Sequence, residues 1–175
     1  MQNEKELLDS TNKLKLIPIS ESDTDNIIKW RNSNLVKQNL FGSDDVTPEI
    51  HLNWLSEYVM KGKCCQFIIH AEGTPVGTVF LKNIDYDNSK AEFGIFIGES
   101  TAHGKGYGTI AAKLITDFAF QELELNKIYL SVFNDNKGAI RSYEKVGFRE
   151  EGILRQDYCK DGHFMDVLQM AMFRD

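Results

Sequence analysis

A chain of 175 residues, 42% hydrophobic and 26% charged, is long enough to bury one core and too short for two ordinary domains. Its formal net charge of -6 at pH 7 has the wrong sign for a nucleic-acid-binding protein. No apolar run approaches the ~20 residues that a membrane-spanning helix needs, so neither nucleic acid nor a membrane is an expected partner.

The cysteines and the first residues bear on the cellular compartment. Cys64 and Cys65 are adjacent, and together with Cys159 they offer neither spaced disulfide pairs nor zinc-ligand spacing. Residues 1–12 are polar and lack the apolar stretch of a signal peptide. We therefore expect a cytoplasmic protein with reduced thiols and no metal. Residues 1–12 are predicted to form a flexible tail and residues 13–175 a single domain.

The N-terminal part of the chain predicts a strand and then two helices. Residues 14–19 alternate as a strand does and end at a turn. Ser22 or Asp23 is placed to cap the helix that follows. The second helix begins at Thr47-Pro48-Glu49, because Thr favours the N-cap, Pro the first helical position and an acid the first turn.

The remainder predicts a sheet interrupted by two helices. Glu72-Gly73 is a hairpin signal, and the helix after the third strand of this part should cross over to a parallel strand. The order β-α-α-β-β-β-α-β-α-β-β predicts an α/β (α+β mixed) class, with a mostly antiparallel sheet and helices on both faces. The predicted elements are strands at 66–70, 76–81 and 91–98, a helix at 106–121, a strand at 128–133, a helix at 136–146, and strands at 148–154 and 164–173.

A glycine-rich turn joins the strand at 91–98 to the helix at 106–121. Glycines at 104, 106 and 108 permit positive φ and place no Cβ in the way of a ligand. The first amides of a helix have no internal acceptor and lie at the positive end of its dipole. The turn could therefore hold a diphosphate, or it could be only a tight connection. Its spacing fits neither the dinucleotide fingerprint nor a kinase-type P-loop.

A second motif begins thirty residues after Gly106, at Asn136. Together with the glycine turn, it resembles the GNAT acetyltransferases, whose later segment is Asn-x-x-Ala-x-x-x-Tyr-x-x-x-Gly-Phe. The element order over residues 14–173 resembles that family too. The positions that match the later segment are Asn136, Ala139, Tyr143, Gly147 and Phe148.

The resemblance implies the GNAT fold and an acetyl-CoA-dependent N-acetyltransferase. Acetyl-CoA is expected in a notch where the strand at 91–98 splays from the strand at 128–133. Its pantetheine arm would pair with the main chain of Ile95, Phe96 and Ile97, near Asn136. His103 stands where the family has Arg or Gln, which leaves the amides after it unaffected. The expected pyrophosphate cradle consists of Gly104, Lys105, Gly106, Tyr107, Gly108 and Thr109.

Two side chains are candidates for the proton transfers that amine attack on a thioester requires. Glu92 lies on the strand beside the expected thioester, on the same face as Gly94, whose missing side chain would leave room. It is the candidate base, acting through water, or else a solvated strand carboxylate. Tyr143 matches the general acid of many relatives, or else it is a core tyrosine.

The acceptor pocket is expected between the two N-terminal helices and their loop. Arg31, Leu40, Phe41 and His51 resemble residues of amino-sugar N-acetyltransferases of the pseudaminic-acid pathway, in which an arginine and a histidine at these places hold a nucleotide-linked sugar. A guanidinium suits phosphate, although Arg31 could be an exposed helix arginine and His51 a packing residue. Residues 91–173 resemble spermidine N-acetyltransferases at least as well.

The sequence-based hypothesis is acetyl transfer to the 4-amino group of a nucleotide-linked amino sugar. A polyamine, a ribosomal-protein N-terminus, or a non-catalytic role as an acyl-CoA-binding sensor are the alternatives. The expected partners are a small-molecule amine and, as one option, a second copy in a homodimer.

Overall fold

The computed structural model describes residues 5–11, 13–42 and 44–174. Its helices are α1 (Thr24–Arg31), α2 (Asn34–Lys37), α3 (Pro48–Trp54), α4 (Tyr107–Gln121) and α5 (Lys137–Val146), and a π-helical segment, Leu55–Val59, continues α3. Its strands are β1 (Leu7–Leu8), β2 (Leu14–Pro18), β3 (Cys65–Ala71), β4 (Thr74–Asp85), β5 (Lys90–Ile97), β6 (Lys127–Phe133), β7 (Arg149–Lys160) and β8 (His163–Phe173). Within these ranges, no helix is long and apolar enough to cross a membrane.

The strands form one sheet in the order β1-β2-β3-β4-β5-β6-β8-β7. Every neighbouring pair is antiparallel except β5 and β6, which α4 connects as a parallel crossover. The predicted mixed, mostly antiparallel sheet is therefore confirmed.

The parallel seam between β5 and β6 is short. It consists of three residue pairs and ends at Glu92 opposite Tyr129. Beyond that point β5 continues beside β4 as far as Ile97, and β6 continues beside β8 as far as Phe133. The two strands therefore diverge into a wedge, as the splayed notch predicts.

Hydrophobic residues pack on both faces of the sheet. The larger core includes Ala91 and Phe93 of β5 and packs under α4 and α5. A smaller cluster joins Ile27 and Trp30 of α1 to the other face, where Phe96 packs against it. Because side chains alternate along a strand, Glu92, Gly94 and Phe96 face α1.

Two strands differ from the sequence-based expectation. Within the segment predicted as a tail, Leu7–Leu8 pairs with β2, and a carboxylate oxygen of Asp9 accepts from Leu14 N at 2.8 Å; residues 1–4 and 12 lie outside the described part. Strand β7 continues to Lys160, past the predicted end at Leu154. The additional residues are mostly exposed and carry no hydrophobic alternation, so the sequence does not predict this extension.

The helix ends show a further difference. Asp23 is the N-cap residue of α1, one of the two positions predicted, but its carboxylate accepts from Ser20 N at 2.9 Å and caps no α1 amide. Thr47 caps α3 as predicted, because its hydroxyl accepts from Ile50 N at 3.3 Å. The four-residue α2 is not predicted, since one helical turn is too short to show a period.

Candidate active site

The wedge between β5 and β6 opens into a cleft of about 640 Å³. Gly98 N donates to Val76 O at 2.8 Å, so Phe96, two residues earlier, also turns its main-chain groups toward β4. Ile95 and Ile97 then turn theirs toward the wedge. Of the three residues expected to pair with a pantetheine arm, only these two offer main-chain groups on the open side, and Phe96 does not.

The glycine turn has the geometry of an anion cradle. Gly104 and Gly106 have φ of 74° and 82°, which L side chains rarely adopt, and no heavy atom lies within 4 Å of where a Cβ would stand. Gly106 is the N-cap of α4, so the amides of the next three residues have no acceptor within the helix. The space above the cradle is therefore open, and the donors fit a diphosphate.

His103 links this turn to the end of β5. Its Nε2 lies 3.0 Å from Ile97 O, and since a carbonyl can only accept, Nε2 carries the proton. The side chain that replaces the family's Arg or Gln thus holds the turn against the strand. It also engages one of the two carbonyls that face the wedge.

Asn136 closes the opposite wall of the cleft. Its Oδ1 accepts from Ala139 N at 3.2 Å and so caps α5, while its Nδ2 donates to Asn39 Oδ1 at 3.1 Å. Both side-chain groups are therefore engaged. The residue joins the start of α5 to the segment after α2.

Tyr143 lies on α5 and reaches the cleft from the α4 and α5 side of the sheet. Its ring packs against Phe93, with centroids 5.8 Å apart, and against Phe148 at 6.0 Å. Its hydroxyl makes no hydrogen bond within the described part of the chain, and the residue lines the cleft. Burial raises the pKa of Tyr143 to about 12, so the hydroxyl stays protonated at neutral pH.

Glu92 lies on the α1 face of the sheet. One carboxylate oxygen is 3.1 Å from Lys82 Nζ, and the other accepts from Asn83 Nδ2 at 2.8 Å. Among the described residues that line the cleft, Glu92 is the only carboxylate. The expected room at Gly94 is taken by the ring of Phe80, since a Cβ there would lie 2.3 Å from Phe80 Cζ.

The Trp30-Arg31-Asn32 sequence anchors the end of α1. Trp30 is 1% exposed, lies where a Cβ of Gly98 would stand, and donates from Nε1 to Glu99 Oε1 at 2.8 Å. The Asn32 side chain exchanges two hydrogen bonds with the main chain of Val46. Between these two anchors, Arg31 is held half-buried against the cleft.

A side cavity of about 330 Å³ adjoins the cleft beneath α1 and α3. Arg31 and Phe41 line both spaces, Leu40 lines the cleft alone, and His51 lines the side cavity alone. The four predicted acceptor residues therefore surround one continuous opening. Lys82 also lines both spaces and is not among the residues predicted from the sequence, although the register of the β4–β5 hairpin places it opposite Glu92.

The side cavity is lined by two basic side chains, of which Lys82 is paired with Glu92 of the adjoining cleft. Arg31 and Lys82 line it, and none of its described lining residues is acidic. Arg31 has no hydrogen bond or ion pair with any residue the structure describes, and burial lowers the pKa of its guanidinium. A half-buried guanidinium without a partner can pair with an anionic group.

His51 presents a hydrogen-bond acceptor in the same cavity. The Thr24 hydroxyl donates to Glu21 O at 2.6 Å, so at 3.1 Å from His51 Nδ1 it must accept, and Nδ1 carries the proton. Burial lowers the pKa of His51, against an opposing contribution from Asp23, and keeps the ring neutral. Its Nε2 is buried, carries a lone pair, and has no partner among the described residues.

No group of three or more His, Cys, Asp or Glu side chains among the described residues could hold a metal ion. The predicted site residues line the wedge or the side cavity, except Lys105, which is exposed and lines neither. Their roles remain predictions.

Comparison with known proteins places this geometry in context. A family model described as an acetyltransferase (GNAT) domain matches residues 13–149. Spermidine N(1)-acetyltransferase of Escherichia coli K12 is 37% identical over 109 residues, which span 62% of this chain and 58% of that protein. Acetyltransferase PseH of Campylobacter jejuni is 25% identical over 130 residues, 74% of this chain and 79% of that protein.

The fold is also found among solved structures. Spermidine N-acetyltransferase from Vibrio cholerae, in complex with CoA and spermine, superposes with a TM-score of 0.86 at 27% identity, covering 92% of this chain and 95% of that one. Another structure of that protein is described as dodecameric, with a TM-score of 0.80 at 26% identity over 92% of this chain and 94% of that one.

Proposed function

The chain belongs to the GNAT acetyltransferase family, and we propose that it transfers an acetyl group from acetyl-CoA to a primary amine. The observation that carries this proposal is the wedge between β5 and β6, which ends at the glycine cradle. The amides of the cradle would hold the pyrophosphate, and Ile95 would pair with the pantetheine arm. Acetyl-CoA supplies the thioester that the amine attacks.

The residues around the wedge can perform both proton transfers. An alkyl amine with a pKa of about 10.4 is protonated at neutral pH and must lose a proton before it attacks. Glu92 would take that proton through water from the α1 face. Tyr143 would donate its proton to the departing sulfur from the α5 face. The proposed acid and base line the same cleft from opposite faces of the sheet.

The acceptor is best matched by a nucleotide-linked amino sugar acetylated on its 4-amino group. Arg31 offers an anion site, and His51 Nε2 accepts a hydrogen bond that a sugar hydroxyl or an amine can donate. Because Lys82 is paired with Glu92, the unpaired charge in the side cavity is that of Arg31, and the ammonium groups of a polyamine would be repelled by it.

A polyamine acceptor remains the second candidate, because the spermidine N(1)-acetyltransferase of Escherichia coli is the more identical relative. A screen of acetyl-CoA turnover against nucleotide amino sugars, polyamines and ribosomal N-terminal peptides separates the candidates. Turnover with none of them would favour an acyl-CoA-binding sensor. The expected homodimer and cytoplasmic location remain predictions, and sedimentation can test self-association.

The direction of one kinetic shift distinguishes the two leading acceptors. If Arg31 binds a diphosphate, Arg31→Ala should raise the acceptor KM by a factor equivalent to roughly 1.5–3 kcal/mol, through loss of a charge-assisted contact. With a polyamine, the loss of a nearby positive charge should leave KM unchanged or lower it.

The matched control is Arg174→Ala, which removes the same side chain from an exposed position that lines neither the cleft nor the side cavity. It should leave the acceptor KM unchanged. Efficient turnover of spermidine together with a lower KM in Arg31→Ala would replace the sugar-nucleotide proposal by the polyamine one.

A further inference from the structure

An ammonium group from the far end of the sheet holds the segment that follows α2. Lys160 Nζ lies 2.7 Å from Lys37 O, 3.0 Å from Gln38 O and 3.1 Å from Leu40 O. An ammonium has three donors, so these three carbonyls use all of them. The same Nζ lies 5.2 Å from the centre of the Phe133 ring, within range of a cation–π interaction.

Two further contacts hold the same segment, residues 37–42, which we name the acceptor wall. The hydroxyl of Tyr158 accepts from Gly42 N. The ring of Phe41 lies 4.6 Å from that of Phe133 and 5.2 Å from that of Tyr158. Strands β6 and β7 thus support the wall from outside the cleft.

The inner side of the acceptor wall lines the cleft through Asn39, Leu40 and Phe41. Helix α2 ends at Lys37, whose carbonyl still accepts from Leu40 N at 3.2 Å, whereas the carbonyls of Gln38 and Leu40 accept from no described backbone amide. Lys160 donates to these carbonyls from outside the cleft, and neither Lys160 nor Phe133 is among the residues that line the cleft. Its ammonium therefore fixes where the wall stands without itself reaching the acceptor.

We propose that Lys160 is the positioning residue for acceptor recognition, acting through the acceptor wall. The proposal rests on the proposed function in one respect, that an acceptor amine binds beside this wall. The three carbonyls surround a compact ammonium, and a planar guanidinium cannot donate to all three with the same geometry. Arginine is therefore not an equivalent replacement.

The test compares Lys160→Met with the wild-type protein. Methionine keeps an apolar side chain against Phe133 and removes the three donors. The acceptor KM should rise at least tenfold, with kcat within about threefold, because the wall contributes binding and no proton transfer. The Kd for acetyl-CoA, measured by calorimetry, should stay within about twofold, because the glycine cradle is untouched.

Hydrogen exchange gives a readout that needs no acceptor. The amides of residues 38–40 and Gly42 are hydrogen-bonded and should exchange faster in Lys160→Met. Lys160→Arg should restore neither the KM nor the exchange rate. Lys61→Met is the matched control, because Lys61 pairs with Glu57 on an exposed helical surface and should change neither.

Tyr158→Phe keeps the ring contacts and removes only the hydroxyl that accepts from Gly42 N. It is the second test of the acceptor wall if Lys160→Met does not fold. It should raise exchange at Gly42 and the acceptor KM to a smaller degree. Unchanged exchange together with an unchanged KM in both variants would overturn the positioning role. If the wild-type protein acetylates no amine, the proposed function is wrong, and the exchange rates alone still decide whether Lys160 positions the wall.

Discussion

The ring of Tyr143 lies in the hydrophobic core, whereas the residue also lines the cleft. Its ring packs edge-on against Phe93 in the core, and its hydroxyl lacks a partner in the part of the chain that the structure describes. The two interpretations of this residue, core tyrosine and general acid, are therefore compatible. The ring supplies rigidity, and the hydroxyl is left available to the cleft.

The first prediction at this scale concerns that hydroxyl. Tyr143→Phe should lower kcat by roughly 10- to 1000-fold and leave the acetyl-CoA Kd unchanged, because only the proton donor is lost. With a pKa of about 12, the hydroxyl stays protonated through pH 10, so wild-type kcat should show no alkaline loss from this group below that pH. Steady-state kinetics across pH measures both.

Tyr86→Phe is a suitable control, since Tyr86 is 53% exposed and lies away from the residues lining the cleft. It should have wild-type kinetics. If Tyr143→Phe instead unfolds at lower temperature while its folded fraction keeps full activity, the residue serves only the core.

Among the elements, the glycine turn and α4 determine how a diphosphate is held. Gly106 adopts a left-handed conformation, so a side chain there would strain the backbone as well as obstruct the cradle. Gly108 has no such strain, and a Cβ there would meet only Ile97 Cγ1, at 3.9 Å. Gly108 therefore allows the cradle to be obstructed without a change in backbone strain.

We accordingly expect Gly108→Val to raise the acetyl-CoA Kd by about tenfold or more, since the new side chain enters the space above the helix amides. Thermal stability should not fall, because valine is a better helix former than glycine. Calorimetry and a melting curve measure the two effects. Gly152→Val on β7, also at a glycine with open space, should leave the Kd unchanged; wild-type affinity in folded Gly108→Val would contradict the placement.

The long elements could be predicted from the sequence because local chemistry determines them. Asn136 and Thr47 cap helices through their own side chains, and Glu72-Gly73 closes its hairpin with φ of 51° and 82°. The short β1 has too few residues to show a period. The Asp23 carboxylate accepts from Ser20 N, which precedes it, and not from an amide at the start of α1. Local signals do not decide such competitions.

At the scale of the whole molecule, burial of His51 couples stability to pH. The pKa of His51 is lowered in the folded state. Below the ordinary value of 6.5 the unfolded chain therefore binds more protons than the folded one, and the free energy of unfolding decreases as the pH decreases. Wild-type protein should lose stability more steeply than His51→Gln below that pH, by at most about 1.4 kcal/mol per pH unit, the limit for one proton.

Denaturant titrations between pH 7 and pH 5 measure this difference. His163→Gln is the control, because His163 is exposed, and it should have the wild-type slope. Equal slopes in wild-type protein and His51→Gln would mean that the ring is protonated equally in both states.

The candidate site could be predicted less completely than the fold. The cradle lies in consecutive residues, and the Asn136 segment follows a motif, so both could be found from the sequence. The pairing of Lys82 with Glu92 depends on strand register, and the contact of Lys160 with Lys37 joins residues 123 apart in the chain. Such pairs become visible only when the strands are in place, which is why the acceptor side required the structure.

The three-pair seam between β5 and β6 also has a mechanical consequence. Past Glu92 no ladder of main-chain hydrogen bonds fixes the distance between the two strands, so the aperture of the wedge depends on the side chains of α4 and α5 packed beneath it. A ladder resists separation bond by bond, whereas a packed layer can yield by fractions of an ångström as side chains shift. The width of the wedge between β5 and β6 can therefore adjust to the molecule that binds in it.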